Sequence, residues 1–236
     1  MGPVEEFVHV TVRPQPRQLA LTLPHAESFA RDDFLEGPGN KAALALIDAW
    51  PGWPHATAML VGDVGSGKSH LASIWAARAG ARAVAARNLA IESVPDALAT
   101  GALAVEDIDP SIVDQAALFH LLNLAREQAA DLLLTARTPP ASWTLQIKDL
   151  ASRLRAVPIV QLEPPDDQLL RALIVKFCAD RQLVVDESVV SYLLPRIERS
   201  FAAARRAVEQ LDAEALRRGR PITRALAAEV LRDGEA

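Results

Sequence analysis

Short apolar runs at positions 58–61, 102–105 and 132–134 interrupt stretches in which apolar residues recur with a helical period. Such runs, bounded by polar residues, read as strands buried on both faces, and their alternation with helices predicts a parallel sheet covered on both sides. A helical pattern fills 41–50, behind the Gly37-Pro38-Gly39 turn. After Asp114, residues Leu118, Leu121, Leu122, Ala125 and Ala129 fall on one face at a period near 3.6, which predicts an amphipathic helix lying on that sheet. Pro164-Pro165 then stops the chain, and Asp166 can cap a new helix whose Leu170, Leu173, Ile174 and Phe177 point inward. From about residue 168 every signal is helical, with segments near 187–194, 199–217 and beyond Pro221. The pattern therefore predicts an α/β core over 29–164 and an all-helical domain over 165–236. Residues 1–28 carry Pro3, Pro14, Pro16 and Pro24 without a sustained period, which predicts an extended arm.

A length of 236 residues suits one core domain with a smaller appendage, since domains run to roughly 100–200 residues. Half of the residues are hydrophobic and 23% are charged, the composition of an ordered globule. The net charge of −5 gives no overall electropositive footprint, so sequence-specific DNA binding is not expected. Cys178 is the single cysteine and cannot form an internal disulfide. No stretch approaches the roughly 18 apolar residues of a membrane span, and Glu5 and Glu6 do not suit a secretory signal, so a reducing cytoplasm is expected. His25, His55 and His120 lack the spacing of a zinc cluster, and the tryptophans Trp50, Trp53, Trp75 and Trp143 read as packing residues.

Chemistry is concentrated between positions 58 and 76. The run Ala58-Met59-Leu60-Val61 leads into Gly62-Asp63-Val64-Gly65-Ser66-Gly67-Lys68-Ser69, which matches G-x-x-x-x-G-K-[ST] at every fixed position. Glycines let backbone N–H groups converge on a β-phosphate, Lys68 brings a mobile positive charge, and Ser69 offers a hydroxyl to Mg²⁺ at a helix N-terminus. Leu71, Ala72, Trp75 and Ala76 continue as that helix. Forty residues on, the strand at 102–105 ends in Glu106-Asp107, where phosphate-loop proteins hold Mg²⁺ and polarise water. The usual order is aspartate followed by an acid. A longer glutamate in the metal position displaces coordinating waters, so weak or absent intrinsic hydrolysis is expected, with Ser69 and Glu106 as the candidate metal ligands.

Taken in order, these motifs resemble the DnaA-type replication initiators of the AAA+ class, and especially their Hda-type regulatory relatives, over nearly the whole chain. Phe34-Leu35-Glu36-Gly37 with Asn40 is similar to the adenine-side segment, and Gly67-Lys68-Ser69-His70-Leu71 to the initiator phosphate loop with its histidine. Leu134-Thr135-Ala136-Arg137-Thr138-Pro139-Pro140 resembles the sensor 1 strand, and Leu150-Ala151-Ser152-Arg153-Leu154 the segment carrying an arginine finger. Arg199, before Ser200-Phe201-Ala202, falls where the family's sensor 2 arginine sits. The resemblance implies a five-stranded parallel sheet, a helical lid and bound ADP or ATP with Mg²⁺. It places Phe34, Leu35, Asn40, Gly62, Gly65, Ser66, Gly67, Lys68, Ser69, His70 and Arg199 at the nucleotide. It gives catalytic roles to Glu106, Asp107, Thr135 and, in trans, Arg153. The alternative for Arg153 is a surface arginine capping 150–154, and for Arg199 a helix-surface charge near Glu198.

Three departures shape the expected function. Initiators continue past the lid into a DNA-reading helix-turn-helix domain, whereas this sequence ends at Ala236. The stretch between Arg87 and Leu103 is shorter than the helical insertion with which initiators grip single-stranded DNA. The segment Gln18-Leu19-Ala20-Leu21-Thr22-Leu23 resembles the Hda-type motif for the DNA polymerase sliding clamp, with Ala20 and Thr22 departing from the commoner residues. There Gln18 can hydrogen-bond at a pocket mouth while Leu19, Leu21 and Leu23 supply apolar anchors; the other reading is a strand padding the domain's own surface. The resemblance implies an ADP-bound, dimeric negative regulator that, with the DNA-loaded clamp, stimulates hydrolysis of ATP on DnaA. The competing reading is a helicase-loader-type ATPase that remodels a replication or transposition partner. Arg205-Arg206 and Arg217-Arg218-Gly219-Arg220 read as a solvated helix surface, or as a contact for DnaA or DNA.

Overall fold

Met59, Leu60, Leu103, Ala104, Val105, Leu132, Leu133 and Leu134 are fully buried, so the three apolar runs are the inner strands of a sheet with no solvent face. The computed structural model describes residues 30–233; the arm motif with Gln18, Leu19, Leu21 and Leu23 lies outside them. The strands are β1 (Thr57–Val61), β2 (Arg82–Ala85), β3 (Ala102–Ile108), β4 (Asp131–Ala136) and β5 (Ile159–Gln161). All neighbours pair in parallel, in the order β2-β3-β4-β1-β5. Two of the five strands gave no apolar run, and both lie at the edges. Strand β2 begins with exposed Arg82 and Ala83, and β5 is three residues long with an exposed Ile159.

The period of two sends alternate residues to opposite faces. Met59 and Val61 join Leu103, Leu118, Leu121 and Leu154 on one side, while Ala58 and Leu60 join Leu44, Ile47, Leu71 and Trp75 on the other. The flanking helices are α1 (Lys41–Ala49), α2 (Lys68–Ala79), α3 (Val94–Ala97), α4 (Gln115–Gln128) and α5 (Lys148–Ala156). Helix α4 starts where Asp114 accepts hydrogen bonds from the Ala116 and Ala117 N–H groups at 2.8 and 3.1 Å. Trp75 stacks on Trp53 at 5.5 Å and meets Trp50 edge-on at 6.3 Å, a packing cluster behind α2.

Helices α6 (Asp167–Asp180), α7 (Glu187–Leu193), α8 (Phe201–Arg218) and α9 (Arg224–Asp233) form the lid around their own core, including Leu170, Leu173, Ile174, Val190, Val208 and Leu211. Asp166 caps α6 as expected, accepting from the Leu169 N–H at 2.7 Å, and Ser200 caps α8 by accepting from Ala203 at 3.1 Å. The lid rests on the core at two points that matter for chemistry. The Phe201 N–H donates to the Gly65 carbonyl at 2.9 Å, and Lys176 pairs with Asp33 at 2.8 Å. The loop following β1 thus opens at the C-terminal edge of the parallel sheet, where such sheets hold ligands, with the lid as its opposite wall.

Candidate nucleotide-binding site

Gly65 and Gly67 have φ of +75° and +99°, conformations that side-chain-bearing residues rarely adopt. A methyl group on Gly65 would stand 2.9 Å from the Ala202 side chain of the lid. Lys68 opens α2 and folds back into the loop, its Nζ donating to the carbonyls of Gly62 at 2.7 Å and Asp63 at 2.8 Å. Burial pushes the Lys68 pKa below its ordinary value, against the pull of Asp107. The Ser66 hydroxyl is buried with no hydrogen-bond partner among the described residues. Such an orphan within the loop fits a site shaped for an external partner.

A cavity of about 640 Å³ opens from this loop to the lid. Of the expected nucleotide residues, Phe34, Gly65, Gly67, Lys68, Ser69 and His70 line it. Phe34 is buried, stacks on Phe201 of the lid at 6.2 Å and meets His70 edge-on at 5.2 Å. Burial lowers the His70 pKa, and its Nε2 lies 3.3 Å from the Ala30 carbonyl oxygen. Other expected residues support the site without lining it. Leu35 packs against the lid core, and Asn40, 1% exposed, ties the entry turn by accepting from the Gly37 N–H at 2.8 Å and donating to the Leu35 carbonyl at 3.0 Å.

The acidic pair is placed differently from expectation. The register of β3 against β4 shifts between Val105 and Ile108, and Asp107 takes a φ of +55°. Asp107 lines the cavity and Glu106 does not. Thr135, fully buried on β4, fixes this bulge by accepting the Asp107 N–H through its Oγ1 at 2.9 Å. Of the two acids, Asp107 is the one that shares the cavity wall with Lys68 and Ser69, although both act on the Lys68 charge.

Arg199 does not line the cavity. It precedes the α8 cap, is 60% exposed and pairs with Asp167 at 2.7 Å, bordering a separate groove with Arg171 and Leu194. The lid's wall of the cavity instead carries Arg205 and Arg206, one turn beyond Phe201 and Ala202 on the same face of α8. That four-residue offset was the available signal. Arg137, immediately after β4, and Lys176 and Arg181 also line the cavity. Lys176 sits between Asp33 and Asp180, each at 2.8 Å, and Arg181 pairs with Glu209 at 2.7 Å. Arg205 lies over the Phe177 ring at 5.5 Å. Arg137 and Arg206 have no hydrogen-bond or ion-pair partner among the described residues. In the other arginine stretch Arg217 and Arg218 both pair with Glu214, whose carboxyl Arg217 holds down at about 2.

Arg153 also stands away from this cavity. On α5 its Nε and Nη2 donate to Asp149 Oδ2 at 3.2 and 3.0 Å, its Nη1 donates to Asn123 of α4, and its guanidinium lies 5.0 Å from the Phe119 ring centre. The side chain is 30% exposed.

No family model matches this chain. The chromosomal replication initiator protein DnaA of Thermomicrobium roseum is 28% identical over 259 aligned positions, covering 93% of this chain and 54% of that protein. The chain thus spans about half the length of this curated relative. Domain III of the replication initiation protein DnaA of Thermotoga maritima superposes with a TM-score of 0.73 at 19% identity, over 87% of this chain and 96% of that domain. AMPPCP-bound DnaA from Aquifex aeolicus gives a TM-score of 0.63 at 18% identity, over 79% of this chain and 65% of that one. Phosphate loop, five-stranded parallel sheet and flanking helices together make this a DnaA-like AAA+ fold.

Proposed function

We propose that the chain is an ADP-bound negative regulator of replication initiation which, with the DNA-loaded sliding clamp, stimulates hydrolysis of ATP held by DnaA. One observation carries this reading: Arg153, partly exposed on α5, serves no part of its own chain's cavity. An arginine so placed is available to a neighbour's triphosphate, where a guanidinium neutralises charge developing on the γ-phosphate. The likeness to DnaA supports a partner of the same fold; the reading requires that this chain's α5 face the partner's phosphate loop.

The cavity's residues fit an adenine nucleotide. Its volume lies within the range of small-molecule sites, and Phe34, His70 and Phe201 provide an aromatic wall for a base. The left-handed turns at Gly65 and Gly67 and the N-terminus of α2 suit phosphates, for which Lys68 would exchange its two loop carbonyls. A bound Mg²⁺ would neutralise phosphate charge; Ser69 and Asp107 would hold it, and one or two carboxylates suffice for that ion. Thr135 keeps Asp107 in position. Arg137 from the core and Arg206 from the lid approach the phosphates from opposite walls, the task expected of Arg199. Arg206→Ala should weaken ADP binding about 10- to 100-fold by calorimetry, the loss of one charge-assisted contact, and Arg199→Ala by less than about twofold.

The same Asp107 beside Lys68 favours a second reading, a helicase-loader-type ATPase that works by its own hydrolysis. DnaA carrying radiolabelled ATP separates the two when mixed with this chain, ADP and clamp on DNA. The regulator reading expects loss of ATP that needs the clamp and fails with Leu19→Ala/Leu21→Ala, with negligible turnover by the chain alone. Steady turnover by the isolated chain, unchanged by clamp or by those substitutions, would establish the alternative. On this reading the chain forms a homodimer, binds the clamp through Gln18, Leu19, Leu21 and Leu23, and works in the cytoplasm. Among the described residues no helix is long and apolar enough to cross a membrane.

A further inference from the structure

We infer that Arg153 is held in an intramolecular latch, in which Asp149 and Asn123 compete with the partner's triphosphate for the guanidinium; this rests on the trans-arginine reading above. Nε and Nη2 both donate to a single oxygen of Asp149, at 3.2 and 3.0 Å. That edge of the guanidinium is one through which arginine grips a phosphate in two parallel hydrogen bonds, so carboxylate and phosphate exclude each other there. Nη1 is taken by the Asn123 amide oxygen, and Phe119 lies beneath the group at 5.0 Å. Phe119 and Asn123 are one turn apart on α4, and Asp149 is one turn before Arg153 on α5. Two packed helices therefore build the cradle, with no loop involved.

The cradle is selective and releasable. Arg155, two positions on along α5 and exposed, has no partner among the described residues, so the pairing is not a general feature of arginines on this helix. The carboxylate of Asp149 is 58% exposed, and a solvated pair of this spacing is weak. A triphosphate, with more charge in a site shielded from water, outcompetes it. The resting chain accordingly keeps its finger neutralised, and engagement with a loaded partner draws it out. Because the competent conformer is only a fraction of the resting population, the latch sets how much regulator is needed.

The test measures loss of radiolabelled ATP from DnaA at subsaturating regulator, with clamp on DNA and ADP present. Asp149→Ala/Asn123→Ala should speed that loss by about threefold to tenfold, and Asn123→Asp, which adds a second carboxylate to the cradle, should slow it by a similar factor. Opposite effects from two changes in one cradle are not what a purely structural role produces. On the isolated chain, nuclear magnetic resonance of the Arg153 Nε–H should show faster exchange with solvent in Asp149→Ala than in wild type. Equal exchange, or an ATP-loss rate unchanged or lowered by releasing the cradle while Arg153→Ala remains inactive, overturns the latch and leaves the finger standing. Full activity of Arg153→Ala removes both.

Discussion

Arg153→Ala should slow the regulator-dependent loss of ATP from DnaA by roughly a thousandfold or more, back towards the rate of DnaA alone. The size follows from where the charge acts. A guanidinium delivered across a subunit boundary into a site shielded from water meets the charge that develops as the γ-phosphate departs, and such fingers contribute about 4–7 kcal/mol to lowering the barrier. Little of this appears in the resting chain, where Arg153 holds a partly solvated helical pair and one amide hydrogen bond, together worth about 1 kcal/mol. The substitution should therefore leave thermal stability and ADP affinity nearly unchanged while removing activity, which distinguishes a finger from a structural arginine. Arg153→Lys should recover only a small part of the rate, because an ammonium cannot form the two parallel hydrogen bonds of a guanidinium. The measurement is a single-turnover time course of labelled ATP on DnaA.

Loss of nucleotide is the second large effect. Lys68→Ala should weaken ADP at least about a hundredfold in equilibrium calorimetry, since two charge-assisted contacts to phosphate disappear together. Its consequence for the ligand-free fold is much smaller, because Lys68 there satisfies only the Gly62 and Asp63 carbonyls and burial disfavours its charge. The melting temperature without ADP should shift little, whereas the rise that ADP produces in the wild type should vanish. Unfolding of the variant would instead mark the lysine as a structural member and the nucleotide as incidental. Through the lid, the same substitution should also blunt the regulator. The Phe201 N–H rests on the Gly65 carbonyl, so the phosphate loop and α8 share a hydrogen bond and respond together.

What the sequence made legible follows from burial and spacing. Strands β1, β3 and β4 are apolar on both faces and stand out without any alignment, whereas β2 and β5 are edge strands, short and half solvated, and carry no run to detect. The phosphate loop was readable because eight consecutive residues carry its geometry. Arg137, Lys176 and Arg181 were not, because folding alone brings β4 and α6 to the cavity, and Arg205 and Arg206 left only their four-residue spacing from Phe201 and Ala202 as a sign. The acid facing that cavity depends on a one-residue bulge, and a bulge that turns Asp107 inward past Glu106 leaves no trace in hydrophobic pattern. Arg199 was misplaced for a related reason: Ser200 caps α8, so the arginine before it leaves the helix direction and finds Asp167.

The decisive observation is the position of one side chain in a complex of this chain with DnaA holding a non-hydrolysable ATP analogue, solved by crystallography or electron cryomicroscopy. There the Arg153 guanidinium should be free of Asp149 and within about 3 Å of the analogue's γ-phosphate oxygens. A formed complex in which Arg153 still lies on Asp149 and Asn123, with another group at that phosphate, would contradict it.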